Sequence, residues 1–286
     1  MSRHSESTRV SAPEIRSRKG GDPVVCLTSY TAPMAAILDP HCDLLLVGDS
    51  VGMVVHGLPN TVGVTLEMMI LHGQAVMRAA QHAMVVVDMP FGSYEMSPEQ
   101  AYANAARIIK ETGAQAVKVE SSPSIAATIA FLVERGIPVM GHVGLRPQAV
   151  NVDGRFRAKG RTNFERDRVI EEAVAADKAG AFAIVVEGVA EDLAREVTAA
   201  VEAPTIGIGA SAACDGQILV TDDLLGLFEW TPKFVRRYAD LKSVVSGAVA
   251  SYAEDVRARR FPAAAETYAL TSGSQRPRVA RTDKRG

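Results

Sequence analysis

Short apolar runs alternate with longer amphipathic segments through most of the sequence, and this alternation constrains the fold more than any other feature. The runs are rich in Val, Ile and Leu and are apolar on both faces, as expected for parallel strands covered by helices. They lie at residues 23–28, 43–48, 84–89, 116–120, 137–142, 183–187, 204–209 and 218–223. Alternating strands and helices predict a parallel sheet, and eight such units predict an α/β fold closed into a (β/α)8 TIM barrel.

The segments between the strands carry helix start and stop signals. Thr65 and Ser97 stand where N-caps are expected, and Pro98 occupies the first helical position after Ser97. Gly113 and Gly180 follow two amphipathic segments and are expected to end them. Each predicted helix therefore joins one strand to the next, as a barrel requires.

The two ends of the chain are polar and lie outside this alternation. Residues 1–22 are expected to form a poorly ordered N-terminal extension. Residues 271–286, with five Lys or Arg and no aromatic residue, are expected to form a disordered tail. The catalytic barrel domain is accordingly predicted over residues 23–265.

The Gly-rich stretch 207–217 matches no phosphate-binding spacing, and a flexible loop over the barrel mouth is an equally good interpretation.

Composition and charge argue against several classes of protein. The formal net charge of -2 gives no electrostatic reason to expect nucleic acid or an anionic membrane as a partner. No stretch approaches the roughly 20 apolar residues of a membrane helix, and the polar N-terminus has no signal-peptide core. We therefore expect a cytoplasmic protein. Cys26, Cys42 and Cys214 form no CxxC or zinc spacing and are expected to be buried, reduced thiols.

Ionisable residues stand at the carboxyl ends of five successive predicted strands. They are Asp49 after the second strand, Asp88 on the third, Lys118 and Glu120 on the fourth, His142 on the fifth and Glu187 on the sixth. Any one of them alone is more often a helix cap or half of a solvated ion pair. Carboxylates that end wholly apolar strands are not explained in that way. Because the carboxyl ends of barrel strands converge on one mouth, we expect a shared site there.

The residue types at these ends favour a particular chemistry. Three carboxylates with one nearby histidine suit Mg²⁺ better than zinc, and Mg²⁺ takes one or two protein carboxylates together with water and substrate oxygens. A ketone oxygen bound to such an ion is polarised, so the adjacent C–H bond becomes acidic. A carboxylate held away from the metal can act as the base, and a lysine can hold a substrate carboxylate. Enolate formation from a 2-oxo acid is the predicted reaction class.

Five segments resemble the ketopantoate hydroxymethyltransferase family, in the correct order from about residue 25 to about residue 241. They are LVGDSVGMVVHG, DMPFGSYEMSPEQA, VKVE, GIPVMGHVGLRPQ and GIGASAACDGQILV. The resemblance implies a barrel related to the phosphoenolpyruvate and pyruvate enzymes. It also implies transfer of the one-carbon unit of 5,10-methylenetetrahydrofolate to 3-methyl-2-oxobutanoate, which gives 2-dehydropantoate for pantothenate and coenzyme A synthesis.

The resemblance further implies roles for residues of the metal and substrate site. Asp49 and Asp88 match the metal-binding aspartates of the family, with one Mg²⁺ expected per subunit. Glu120 matches the acidic residue that completes the metal site through water. Ser50 and Lys118 match residues that hold the oxo acid, which Asp49 and Asp88 are also expected to contact.

Two more positions have an implied role in the chemistry. Glu187 falls at the position of the family's proton acceptor and is the expected catalytic residue. His142 is expected to support the site as a polar neighbour. The expected partners are the small-molecule oxo acid and the folate co-substrate, and the resemblance implies a homo-oligomer, commonly a decamer.

Two alternatives remain open at the level of sequence. One is a Mg²⁺-dependent lyase of the phosphoenolpyruvate mutase and isocitrate lyase type, although such enzymes carry a cysteine-containing KKCGH-like loop that this chain lacks. The other is a non-catalytic barrel that serves as a binding protein. A binding protein has no need of a complete set of strand-end charges, whereas every one of them is present here.

Overall fold

A computed structural model describes residues 9–268. Residues 1–8 and the tail expected over 271–286 lie outside the described residues. The strands form a closed parallel barrel in which each pairs with the next and β8 pairs with β1. They are β1 (Val24–Thr28), β2 (Leu44–Val47), β3 (Met84–Asp88), β4 (Ala116–Glu120), β5 (Val139–Gly144), β6 (Ala183–Glu187), β7 (Thr205–Ile208) and β8 (Gly216–Leu219). The predicted TIM-barrel fold is confirmed.

Helices lie between most of the strands, before β1 and after β8. They are α1 (Ala12–Arg16), α2 (Ala32–Leu38), α3 (Val51–Val54), α4 (Leu66–Ala79), α5 (Pro98–Thr112), α6 (Ala126–Glu134), α7 (Val150–Asp153), α8 (Asn163–Lys178), α9 (Glu191–Ala200), α10 (Thr221–Leu224) and α11 (Leu241–Arg257). The predicted caps are present, because Thr65 caps α4 and Ser97 caps α5 through their side chains. Gly113 ends α5 with a φ of 79°, a conformation that favours glycine.

Alternate side chains on each strand face the barrel interior. Leu44 and Leu46 of β2 and Met84 and Val86 of β3 belong to one buried interior cluster. The intervening Leu45 belongs instead to the core between the strands and the surrounding helices. Both faces of the strands are therefore buried, which explains why the strands are continuous apolar runs in the sequence.

The lower end of the barrel, where the strands begin, is closed by α1. This corrects the expectation of a poorly ordered extension for residues 9–22, whereas residues 1–8 lie outside the described residues. Ser11 caps α1, Ile15 is fully buried in the interior cluster, and Arg16 donates to the Ala181 carbonyl (2.6 Å). The polar composition concealed this role because very few apolar side chains provide the contact.

The eighth strand begins and ends earlier than the predicted 218–223, because residues 221–224 form α10. The connection from β7 to β8 contains no helix. Residues of the Gly-rich stretch 207–217 lead back from the upper end to the lower end, and Ser211 and Cys214 are buried along the way. The stretch is therefore not a loop over the barrel mouth. Its small residues lack an amphipathic period, which accounts for the missing helix.

The barrel unit also ends sooner than the expected residue 265. The chain divides into two compact units, Met1–Ala239 and Asp240–Gly286. The sheet closes through β8 and β1 without a contribution from α11. In the second unit the Asp240 side chain caps α11.

Two compositional expectations can be compared directly with the structure. Cys26, Cys42 and Cys214 are free and buried, as predicted. Among the described residues, no helix is both long and apolar enough to cross a membrane.

Candidate active site

The interior rows of four strands end in ionisable side chains at the upper end of the barrel. The rows are Met84, Val86 and Asp88 on β3; Ala116, Lys118 and Glu120 on β4; Met140 and His142 on β5; and Ala183, Val185 and Glu187 on β6. Alternate side chains of a strand point to the same face. The ionisable side chains therefore face the barrel interior, like the apolar ones before them in each row, and they lie together at its upper end. The register places Asp88 opposite Lys118 and Glu120 opposite His142.

Asp88 and Lys118 form an ion pair at the ends of β3 and β4. The distance from Lys118 Nζ to Asp88 Oδ1 is 2.9 Å, and both side chains are almost completely buried. Burial alone would lower the pKa of Lys118, but the carboxylates of Asp88 and Asp49 raise this pKa above its ordinary value. Lys118 therefore stays charged at neutral pH and can hold an anionic group.

Asp49 lies beside Asp88 just beyond the end of β2. Its backbone N–H donates to Asp88 Oδ2 (3.0 Å). Burial and the neighbouring Asp88 carboxylate raise the pKa of Asp49 to about 7. Gly48 leaves room for the neighbouring Ser50 side chain, since a Cβ at position 48 would lie only 2.8 Å from Ser50 Oγ. The two aspartates thus form a buried pair of like charges, which favours binding of a cation or a proton.

Glu120, His142 and Glu187 form a second group next to this pair. His142 Nε2 lies 3.1 Å from Glu187 Oε2, within reach of a hydrogen bond, and His142 Nδ1 lies 4.0 Å from Glu120 Oε1. Burial lowers the pKa of His142 and raises that of Glu120. The side chain of Glu187 is 19% exposed, whereas that of His142 is only 2% exposed. Glu187 is therefore the carboxylate of this group that a bound molecule can reach.

Ser50, the remaining predicted site residue, follows Asp49 at the start of α3. Its hydroxyl lies 2.8 Å from the hydroxyl of Tyr30, which follows β1. The prediction did not include Tyr30, because a tyrosine after a strand is not an ionisable strand end at neutral pH.

Two further buried residues, Gln148 and Tyr94, were also missed by the sequence reasoning. Gln148 Nε2 donates to Asp49 Oδ2 (2.8 Å), and the Gln148 backbone N–H donates to Glu120 Oε1 (3.0 Å). Tyr94 donates its hydroxyl proton to Gln148 Oε1 (2.7 Å). Both residues belong to segments that carried the family resemblance, but they lie on loops after strands, where the strand-end pattern gives no signal. Gln148 joins the Asp49 group to the Glu120 group.

The donor set decides whether the predicted metal fits this site. No three His, Cys, Asp or Glu side chains within residues 9–268 are grouped so that they could hold a metal ion. Asp49 and Asp88 are adjacent, however, and Mg²⁺ typically takes only one or two protein carboxylates. This region also contains four carboxylates but a single lysine. The Asp49 and Asp88 pair therefore fits a hard divalent cation, while a contribution of Glu120 through water stays a prediction.

Together, the closed barrel and the acidic cluster at its upper end define a barrel enzyme that acts on small molecules where its strands end. Sequence comparison makes this assignment more specific. The chain belongs to the ketopantoate hydroxymethyltransferase family, whose model matches residues 9–264.

Curated relatives agree along nearly the whole chain. A 3-methyl-2-oxobutanoate hydroxymethyltransferase from Phenylobacterium zucineum is 73% identical over 275 residues, which cover 96% of this chain and 100% of that protein. One from Hyphomonas neptunium is 72% identical, covering 94% of this chain and 98% of that protein. One from Rhizobium etli is 58% identical with the same coverage.

Solved structures show the same fold at low identity. A 2,3-dimethylmalate lyase of the phosphoenolpyruvate mutase and isocitrate lyase superfamily matches with a TM-score of 0.57 at 15% identity, covering 86% of this chain and 87% of that one. A putative lyase/mutase from Burkholderia cenocepacia J2315 matches with a TM-score of 0.55 at 18% identity, covering 90% of both chains. At such identities the likeness concerns the fold alone.

Proposed function

We propose that this enzyme transfers a hydroxymethyl group from 5,10-methylenetetrahydrofolate to 3-methyl-2-oxobutanoate and forms 2-dehydropantoate. The proposal is supported by relatives that bear this name at up to 73% identity over almost the full chain. The observation that carries the chemistry is the buried Asp49 and Asp88 pair beside Lys118, with Glu187 reachable nearby. This arrangement suits a 2-oxo acid, which has an anionic carboxylate and an adjacent ketone.

Lys118 and Ser50 hold the oxo acid in this proposal. The Lys118 ammonium group, kept charged by Asp88 and Asp49, attracts the substrate carboxylate. Ser50 donates its hydroxyl proton to a substrate oxygen, and Tyr30 orients that hydroxyl from 2.8 Å away. Lys118 is almost completely buried, and the exclusion of water there strengthens its contact with the substrate carboxylate.

Asp49 and Asp88 would hold one divalent cation per subunit, with Glu120 contributing through water. When bound, the cation stabilises the negative charge that develops on the keto oxygen. The protein supplies the matching negative charge, and Lys118 holds the Asp88 carboxylate in place at 2.9 Å. Mg²⁺ is the ion that this set of oxygen donors favours.

Glu187 removes the proton from C3 of the oxo acid. His142, whose pKa burial lowers, lies with Nε2 3.1 Å from Glu187 Oε2, and in this proposal it donates to that carboxylate and orients it toward the substrate. The C3 carbon then forms a bond to the methylene carbon of the opened folate iminium. A C–O bond to water replaces the methylene C–N bond, and the folate nitrogen takes up the proton.

The proposal also includes a cytoplasmic location, and the small net charge supports the absence of a nucleic-acid or anionic-membrane partner. Family membership supports a homo-oligomer, with a decamer as the expected form. Sedimentation of the purified protein tests the assembly state independently of the chemistry.

The direct test is product identification. The enzyme is incubated with 3-methyl-2-oxobutanoate, 5,10-methylenetetrahydrofolate and Mg²⁺, and mass spectrometry is expected to detect 2-dehydropantoate. Turnover of isocitrate or phosphonopyruvate without that product would assign the chain to the lyase group instead. Calorimetry that detects no metal-dependent binding of the oxo acid would favour a non-catalytic barrel.

The role of Glu187 is tested by Glu187→Gln, because glutamine keeps the shape of the side chain but cannot accept the proton. Exchange of the C3 proton in D2O, followed by NMR, is expected to fall at least roughly a hundredfold, while oxo-acid binding stays within about twofold. Glu202→Gln, at an exposed position before β7, is the matched control and should exchange like the wild type. Wild-type exchange in Glu187→Gln would remove Glu187 from the role of base.

A further inference from the structure

We propose that Gln148 is a positioning residue that holds Asp49 and Glu120 in their binding geometry, and that Tyr94 fixes the orientation of the Gln148 amide. This inference rests on the function proposed above, since it assigns the residues that arrange the cation and substrate site. Gln148 lies in the 3-10 turn Pro147–Ala149 after β5 and is 6% exposed.

The donors and acceptors around Gln148 allow one orientation of its side-chain amide. Nε2 lies 2.8 Å from Asp49 Oδ2 and 3.0 Å from the Met89 carbonyl, and both of these atoms are acceptors. Oε1 must therefore face Tyr94. The Tyr94 hydroxyl accepts from the Glu120 backbone N–H (3.2 Å), so its own proton points to Gln148 Oε1. A flipped amide would set a carbonyl oxygen against a carboxylate and lose these bonds.

This arrangement ties three neighbouring strand ends to one residue, two through its side chain and one through its backbone. Gln148 reaches Asp49 after β2 and Met89 after β3 through Nε2, and it reaches Glu120 at the end of β4 through its backbone N–H. Because one oxygen of Asp49 is fixed by the amide, the other keeps a defined direction for a ligand. Satisfied buried networks of this kind hold their members rigidly, and their loss affects the groups that they orient.

The experiment compares two glutamines with similar bonds at opposite ends of the barrel. In Gln148→Met the volume is kept and the amide is lost. Gln115→Met is the matched control: at the lower end, the Gln115 side chain accepts from the Val85 backbone N–H (3.0 Å) and donates to the Val10 carbonyl (3.0 Å). Calorimetry measures binding of Mg²⁺ alone and of 3-methyl-2-oxobutanoate with Mg²⁺, and NMR measures C3 exchange in D2O.

We expect Gln148→Met to weaken oxo-acid binding in the presence of Mg²⁺ by roughly ten- to a hundredfold, the range for a lost hydrogen bond to a charged group. Gln115→Met should stay within about twofold of the wild type, although both variants melt at lower temperature. Equal binding by the two variants would overturn the positioning role. If the wild type itself neither binds the oxo acid nor exchanges its C3 proton, the proposed function fails instead.

Tyr94→Phe supplies a second, milder variant that removes only a hydroxyl. We expect it to weaken oxo-acid binding by about three- to tenfold, because the amide loses the partner that fixes its orientation. Adding Tyr94→Phe to Gln148→Met should weaken binding by less than Tyr94→Phe does in the wild type, since the hydroxyl acts mainly through the amide and only its bond to the Glu120 N–H is separate. Fully additive losses would show that Tyr94 does not act through Gln148.

Discussion

The two ends of the barrel treat a buried aspartate in opposite ways. At the lower end, Asp215 accepts from the backbone N–H groups of Gly20 and Thr205 (2.8 Å each) and from Lys19 Nζ (3.0 Å). At the upper end, Asp49 accepts from Gln148 and has a second carboxylate, Asp88, beside it. The Asp215 carboxylate accepts hydrogen bonds from several protein donors, whereas the Asp49 carboxylate can still bind a ligand.

The pKa values of the two carboxyl groups record this difference. Burial alone would raise the pKa of Asp215, but the Thr205 and Gly20 backbone donors, together with Lys19, bring it below its ordinary value. Burial and Asp88 raise the pKa of Asp49 to about 7. A buried carboxylate that contributes to stability and one that is poised for binding can thus be distinguished by the donors around them.

Asp49→Asn is expected to produce the largest effect on activity. Asparagine can still accept the hydrogen bond from Gln148, but it removes the charge that the cation requires, so C3 exchange should fall by roughly a hundred- to a thousandfold. In EDTA at pH 8 the free energy of unfolding should rise by about 1 kcal/mol, because a buried repulsion with Asp88 is gone. Exchange measured by NMR and urea unfolding check both parts. If Asp49→Asn lost much stability but kept its activity, the proposed contrast between the two ends of the barrel would be wrong.

Asp215→Asn is the reciprocal change, and its effect should fall on stability. Removing the charge weakens the hydrogen bonds from Lys19, Gly20 and Thr205 at once, so the free energy of unfolding should fall by about 2–3 kcal/mol. The kcat/KM of the enzyme that remains folded should stay within about twofold. If the activity of folded Asp215→Asn fell as far as that of Asp49→Asn, the two ends would not be functionally distinct.

Without divalent cations, the pH dependence of the free energy of unfolding should also reveal the difference between Asp49 and Asp215, although this effect is smaller. The pKa of Asp49 is raised from 3.8 to about 7, so its contribution is fully present below about pH 4 and is lost as the pH rises through about 7. Between these values stability should fall by up to about 1.4 kcal/mol per pH unit.

Urea unfolding in EDTA across this pH range measures the slope, and Asp49→Asn should flatten it. Glu120, whose pKa burial also raises, contributes in the same direction and leaves a residual slope. Asp215, with its lowered pKa, acts in the opposite sense and loses its contribution only as the pH falls below about 4. An unchanged slope in Asp49→Asn would show that another group is responsible.

Much of the upper end could be predicted because the alternation of side chains along the strands and the charged residues at the strand ends indicate the same site. The run AVKVE places Lys118 and Glu120 on one face, and an apolar strand that ends in two charges is informative by itself. The metal and substrate roles of these residues come from family resemblance and await the experiments above. Gln148 and Tyr94 gave no such signal, because a buried amide or hydroxyl on a loop is indistinguishable in sequence from an exposed one.

The lower end was harder to predict for a different reason. The segment that closes it is polar overall, and its role depends on the burial of Ile15 and on a few long-range hydrogen bonds such as that from Arg16 to Ala181. Contacts between residues so distant in sequence leave no local pattern. The boundaries of β8 were missed because a continuous apolar run does not show where a strand gives way to the short helix α10.

The connection from β7 to β8 contains no helix, so it does not cover the outer face of this part of the barrel. On β2 to β6 the outward residues are buried, but Gln217 on β8 and Val25 on β1 are exposed. Gln217 donates to the Ser211 carbonyl (2.8 Å), while an added Cβ at Gly207 would lie only 3.0 Å from the Gln217 side chain. Backbone pairing between the strands therefore suffices to close the interior here, and this part of the barrel restricts the size of the side chain at position 207 while it leaves position 217 open to a polar residue.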